Sequence, residues 1–112
     1  MSPDPVLAAL DALEGAIDAN AERGRVIKER IEQIKRARLE GRSYRQIVPG
    51  EQRPLIVQLV TQSATALDSY GVQLRRAEAQ ALYDEGLTMD QIADLFGVSR
   101  QRVSVLLKHG AQ

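Results

Sequence analysis

The sequence predicts an all-α protein: a long helical hairpin, or coiled-coil-like arm, followed by a C-terminal helix-turn-helix. Three observations carry that expectation. Two long stretches place apolar residues at alternating spacings of three and four. A segment holding two glycines and two prolines, Gly41–Pro54, separates them. Near the C-terminus a capping residue, a short apolar helix, a glycine and a second capping residue follow in quick succession.

The first stretch runs from about Pro5 to Leu39. Val6, Leu10, Leu13, Ile17, Ile27, Ile31 and Ile34 fall on one heptad stripe, with Leu10, Ile17, Gly24 and Ile31 at a and Val6, Leu13, Asn20, Ile27 and Ile34 at d. Pro3 and Pro5 suit a helix start, and Asp4 suits its cap. A helix of this length is about 50 Å long and cannot bury its stripe alone. The segment "GRSYRQIVPGEQRP" (41–54) ends it, with Ser43 placed to cap a short turn of helix around Tyr44–Val48. Pro54 suits the first turn of the next helix, which is expected to reach Glu85 with a stripe at Ile56, Val60, Ser63, Leu67, Tyr70, Leu74, Ala77 and Ala81. The two long helices pack antiparallel within a chain or interleave between two chains. The expected division is therefore an N-terminal packing or dimerisation arm over 1–53 and, over 54–112, a long helix leading into the C-terminal helix-turn-helix.

Two nine-residue stretches echo each other. "LEGRSYRQI" (39–47) and "DEGLTMDQI" (84–92) share Glu-Gly, a hydroxyl two residues after the glycine, and Gln-Ile. A duplication would produce this, and so would the ordinary grammar of a helix, a glycine, a cap and another helix.

In residues 82–109, Gly86 stops one helix and Thr88 caps the next, which carries Ile92, Ala93 and Leu95. Gly97 supplies the left-handed backbone of a tight turn, Val98 fills the angle, and Ser99 caps a third helix that turns Val103 and Leu106 inward. Ile92, Phe96, Val98 and Leu106 complete the expected core. A small residue at the crossing (Ala93), a glycine four later and a β-branched residue six after that make the steric pattern of a helix-turn-helix.

"LTMDQIADLFGVSRQRVSVLL" resembles the promoter-reading fourth region of bacterial sigma factors and, more loosely, the helix-turn-helix of resolvase-type recombinases. The resemblance covers residues 82–108, and nothing upstream is similar to a promoter-melting region or a recombinase catalytic domain. It implies a small bacterial regulator whose helix beginning at "SR" enters the major groove, so that Ser99, Arg100, Gln101, Ser104 and Lys108 face DNA. The chemistry of those residues is compatible. Arg100 can fork onto guanine O6 and N7, and Gln101 can pair with adenine. Thr88 and Ser99 stand at helix N-termini, where backbone N–H groups meet phosphate. Arg102 lies on a flank, suited to phosphate or to an acid such as Asp90 or Asp94.

Composition bounds the rest. The 112 residues are 44% apolar, 27% charged and 4% aromatic. They hold no cysteine, which excludes disulfides and thiolate metal sites. No signal-like or membrane-spanning run appears, so the expected location is the cytoplasm, at the nucleoid. Net charge is zero but blocked: five acids and no base over 1–22, nine bases against three acids over 23–45, and three bases and no acid from Ser99 onward. The basic block suits a second phosphate surface, pairing within its own helix, or the acidic block of a neighbour. His109, the one histidine, has no companion for a metal site. No nucleophile–base set or phosphate-cradling glycine loop is present, so neither an enzyme nor a cofactor is expected.

The expected partners are double-stranded DNA and a second copy of the chain. Two other readings stay open: a nucleoid-associated protein of low sequence preference, and a coiled-coil adaptor for RNA polymerase or another protein.

Overall fold

The computed structural model describes residues 3–110, which form five helices and no strand. They are α1 (Pro5–Leu39), α2 (Tyr44–Ile47), α3 (Ile56–Asp84), α4 (Met89–Phe96) and α5 (Arg100–Gly110). Among the described residues no helix is long and apolar enough to cross a membrane. The chain divides into two compact units, one formed by Gly15–Asp68 and the other by the stretches on either side of it.

α1 starts as its first residues dictate. Asp4 Oδ1 accepts from the Val6 and Leu7 N–H groups at 2.9 and 3.3 Å, satisfying donors that the helix cannot. In the Gly15–Asp68 unit, α1 and the first half of α3 run antiparallel. Asn20 Nδ2 donates to the Ser63 carbonyl at 3.0 Å, and Arg23 donates to Ser63 Oγ at 3.3 Å. Further along, Arg30 donates to the Pro54 carbonyl at 3.0 Å, so rising numbers in α1 meet falling numbers across the seam. Over this span the pairing is therefore within one chain.

The seam is broader than the expected one: Gly24 and Ile31 at a stay half-buried, as do the d residues. Ala9, Ala16, Arg23, Arg30 and Ala37 join the d residues as its buried or half-buried members. Leu10 and Ile17, expected inside, are 43% and 51% exposed.

The connector closes on an ion pair. Arg30 and Glu51 meet at 2.9 Å with side chains only 8% and 3% exposed. Glu51 Oε1 also accepts from the Ile56 N–H at 2.9 Å. This carboxylate thus opens α3, and Pro54 stands outside the first turn that its type suggested. Ile47, Leu59 and Ala16 are the buried apolar residues here. On the outer face Arg25 bridges Glu22 and Glu29; its hydrogen bond and charge hold the Glu22 carboxyl below the usual carboxylate range.

The two echoing stretches share a backbone path. Gly41 and Gly86 both have positive φ. After each, the next N–H reaches back to close the preceding helix, Arg42 to the Ala37 carbonyl and Leu87 to the Leu82 carbonyl. Gln46 and Gln91 then accept from the backbone N–H of Ser43 and Thr88.

Candidate nucleic-acid interface

The C-terminal end of α3 together with α4 and α5 encloses an apolar core. Ala79, Ile92 and Val103 are fully buried, Ala93 and Leu106 nearly so, and Leu82, Leu87, Met89, Phe96, Val98 and Leu107 pack around them. Each expected core residue of this region is present. Leu95 is the exception to the apolar pattern of α4: it is 66% exposed, beside Gln91 and Asp94 on the outer surface. It falls three residues after Ile92 and just before Phe96, and the inward arc of an eight-residue helix is filled without it.

The turn is built on Gly97, at φ 67° and ψ 34°. The Val98 N–H reaches the Ala93 carbonyl at 3.1 Å, which satisfies the end of α4 and redirects the chain. A Cβ placed on Gly97 would meet nothing within 4 Å, so the requirement for glycine is one of backbone conformation alone.

Both helix starts are capped as their residues predict. Thr88 Oγ1 accepts from the Gln91 N–H at 3.1 Å while Gln91 Oε1 accepts from the Thr88 N–H at 2.8 Å. Ser99 Oγ accepts from the Arg102 N–H at 3.1 Å. Each hydroxyl satisfies one N–H, and the donors immediately before it in the helix have no partner within the helix.

α5 then has two faces. Val103 and Leu106 point into the core, whereas Arg100, Gln101, Arg102, Ser104 and Lys108 are all exposed. At 100° per residue, Arg100, Gln101, Ser104 and Lys108 share one side and Arg102 lies on the flank. Thr88 is exposed at the start of α4.

One contact differs from expectation. Asp90, considered above as a partner for Arg102, faces Arg100 instead, with Oδ1 at 3.8 Å from Nε. Both residues lie in first turns, and the crossing of α4 and α5 brings those turns together. Sequence separation alone conceals such a pairing. At 68% and 75% exposure the two side chains are held loosely, and Arg100 stays available to a stronger acceptor. The side chain of His109 lies outside the described residues.

No curated protein and no solved structure matches this chain. A family model does match its C-terminal part: residues 71–109, spanning the second half of α3 with α4 and α5, fit the Homeodomain-like domain, a helix-turn-helix fold of the DNA-binding kind.

Proposed function

We propose that this chain is a dimeric, sequence-preferring transcriptional regulator that inserts α5, from Ser99 onward, into the major groove of DNA. The observation that carries the reading is the two-faced α5: its apolar side is locked by Val103 and Leu106, and its opposite side offers an arginine and a glutamine in the first turn. A recognition helix meets bases with that end. Arg100 reads guanine, Gln101 reads adenine, and Ser104 lies between them and the exit from the groove. Lys108 and Arg102 meet phosphate. The N-termini capped by Thr88 and Ser99 anchor the backbone.

The kinship to sigma-factor and resolvase readers belongs to this same proposal, as does a bacterial cytoplasm as the place of action. Residues 1–53 act as the packing and dimerisation arm of a DNA-binding part over 54–112. Apolar side chains left exposed on the long helices, Leu10 and Ile17 on α1 and Val60 and Leu67 on α3, favour a second copy as the partner.

The test is selection of a preferred duplex from a random pool, then titration of variants against that duplex and a scrambled one. Arg100→Ala or Gln101→Ala is expected to cost about 1–3 kcal/mol on the selected site and little on the scrambled one. Equal losses on both would move the reading to a nucleoid-type protein. No DNA binding at all would leave the adaptor.

A further inference from the structure

Nine bases lie between residues 23 and 45, and in the Gly15–Asp68 unit three of them are taken up by polar or acidic side chains. Arg23 donates to Asn20 and Ser63, Arg25 bridges two glutamates, and Arg30 is buried against Glu51. Lys28, Lys35, Arg36, Arg38, Arg42 and Arg45 remain, all exposed and, among the described residues, in no ion pair. Five of these lie within 35–45, where Glu40 is the single acid.

This tip is tied together. The Arg38 guanidinium stacks 4.5 Å from the centre of the Tyr44 ring and donates to the Arg42 carbonyl at 3.1 Å. Ile34, Leu39 and Tyr44 floor a shallow hollow whose cationic members are Lys35 and Arg38. Leu39 is 88% exposed and Tyr44 55%. Cations crowded with so little counter-charge repel one another, and a polyanion relieves that repulsion.

We infer that the tip is a second DNA contact, one that grips the sugar–phosphate backbone of a duplex and reads no bases. It lies outside the helix-turn-helix and stands independently of how that domain reads sequence. Two features favour a duplex over the acidic half of another copy's α1. Duplex DNA carries a charge for about every 1.7 Å of its axis. The acidic half of α1 offers five carboxylates, Asp4, Asp11, Glu14, Asp18 and Glu22, over about 27 Å of helix, and Glu22 is already bridged to Arg25, a far sparser row than the phosphates along the same length of duplex. In addition, apolar side chains set between planar guanidinium forks match a backbone that alternates sugars with phosphates.

The experiment titrates the full chain with a fluorescent duplex of unrelated sequence at several salt concentrations. For Lys35→Gln/Arg42→Gln/Arg45→Gln, the slope of log affinity against log salt should fall by about two to three units, with affinity at least about tenfold weaker at moderate salt. Arg45→Gln alone should remove about one unit. Arg42→Lys/Arg45→Lys should keep the slope. Circular dichroism checks that helical content is preserved, and the single variant serves if the triple one does not fold. An unchanged slope in a folded variant overturns the inference. So does a variant that loses self-association by sedimentation while its slope stays the same, since the tip would then hold a second copy. Gln101→Ala is measured alongside. If it leaves site preference intact, the base-reading proposal fails while the tip is still judged on its own slope.

Discussion

Residues 37–48 and 82–93 begin alike and end differently. Each closes a long helix, passes through a glycine with positive φ, and opens a new helix with a hydroxyl residue and a glutamine three positions on. The first opening yields four residues of helix, the second eight. The Gln91 N–H is held by the Thr88 hydroxyl at 3.1 Å, whereas the Gln46 N–H at the corresponding place reaches the Ser43 carbonyl at 3.0 Å. After Ile47, Pro49 and Gly50 follow; after Ile92, Ala93 and Phe96 extend the apolar face into a core shared with α5. A capping signal starts a helix, and only a surface to bury sustains it. The first stretch forms a one-turn plug inside a connector whose closure depends on Arg30 and Glu51.

The two regions should therefore fail for different reasons. The largest effect is expected from Glu51→Ala, which strands the buried Arg30 charge and releases the first turn of α3. A loss of about 3–5 kcal/mol should appear in urea denaturation, with faster amide exchange from Ile47 to Leu59. Comparable exchange in both regions would break the distinction.

Next come the matched isoleucines. Ile92→Ala, in a fully buried site, should cost about 3–4 kcal/mol and abolish DNA binding. Ile47→Ala, at 6% exposure under a thin cover, should cost about 2 kcal/mol and leave the helix-turn-helix folded by NMR. Equal losses would mean that the two sites share one core.

Gly97→Val tests the turn that only the second region possesses. A Cβ has room there, so the cost is backbone strain of about 1–2 kcal/mol, and Gly97→Asn should recover much of it in thermal denaturation. The smallest contrast lies in the caps: Thr88→Ala should lose about 1 kcal/mol and Ser43→Ala only a few tenths. A larger loss at Ser43 would show that the short helix is held by its cap after all.

The same contrast explains what could be read in advance. The caps at Thr88 and Ser99, the turn at Gly97 and the core of Ile92, Val103 and Leu106 were legible because local rules govern them. A hydroxyl side chain meets an N–H three residues on, and glycine reaches a conformation that other residues resist. The bounds of α1 were legible for the same reason. Its buried face was not. Periodicity weights leucine and isoleucine, and the a/d stripe followed their size, whereas the choice between Leu10 and Ala9 or Ile17 and Ala16 is made by the shape of the opposing helix. Arg30 is the extreme case: an arginine reads as surface until a carboxylate twenty-one residues away is brought against it. The contact of Asp90 with Arg100 was hidden likewise, since it depends on the crossing angle of α4 and α5.

The Asn20–Ser63 bond has a consequence for how the hairpin knows its own alignment. A seam of alanines and isoleucines repeating every seventh residue brings two helices together but says little about where to stop, because such a surface looks nearly the same one heptad further along. Asn20 Nδ2 and the Ser63 carbonyl supply an address. In any other alignment that amide would be buried opposite an apolar neighbour, and the loss would exceed the gain from another packed methyl group. Asn20→Leu would therefore deepen the energy well and multiply it, allowing exchanged hairpins between copies to compete with the intended one. The chain gives up some adhesion along this seam to keep a single answer.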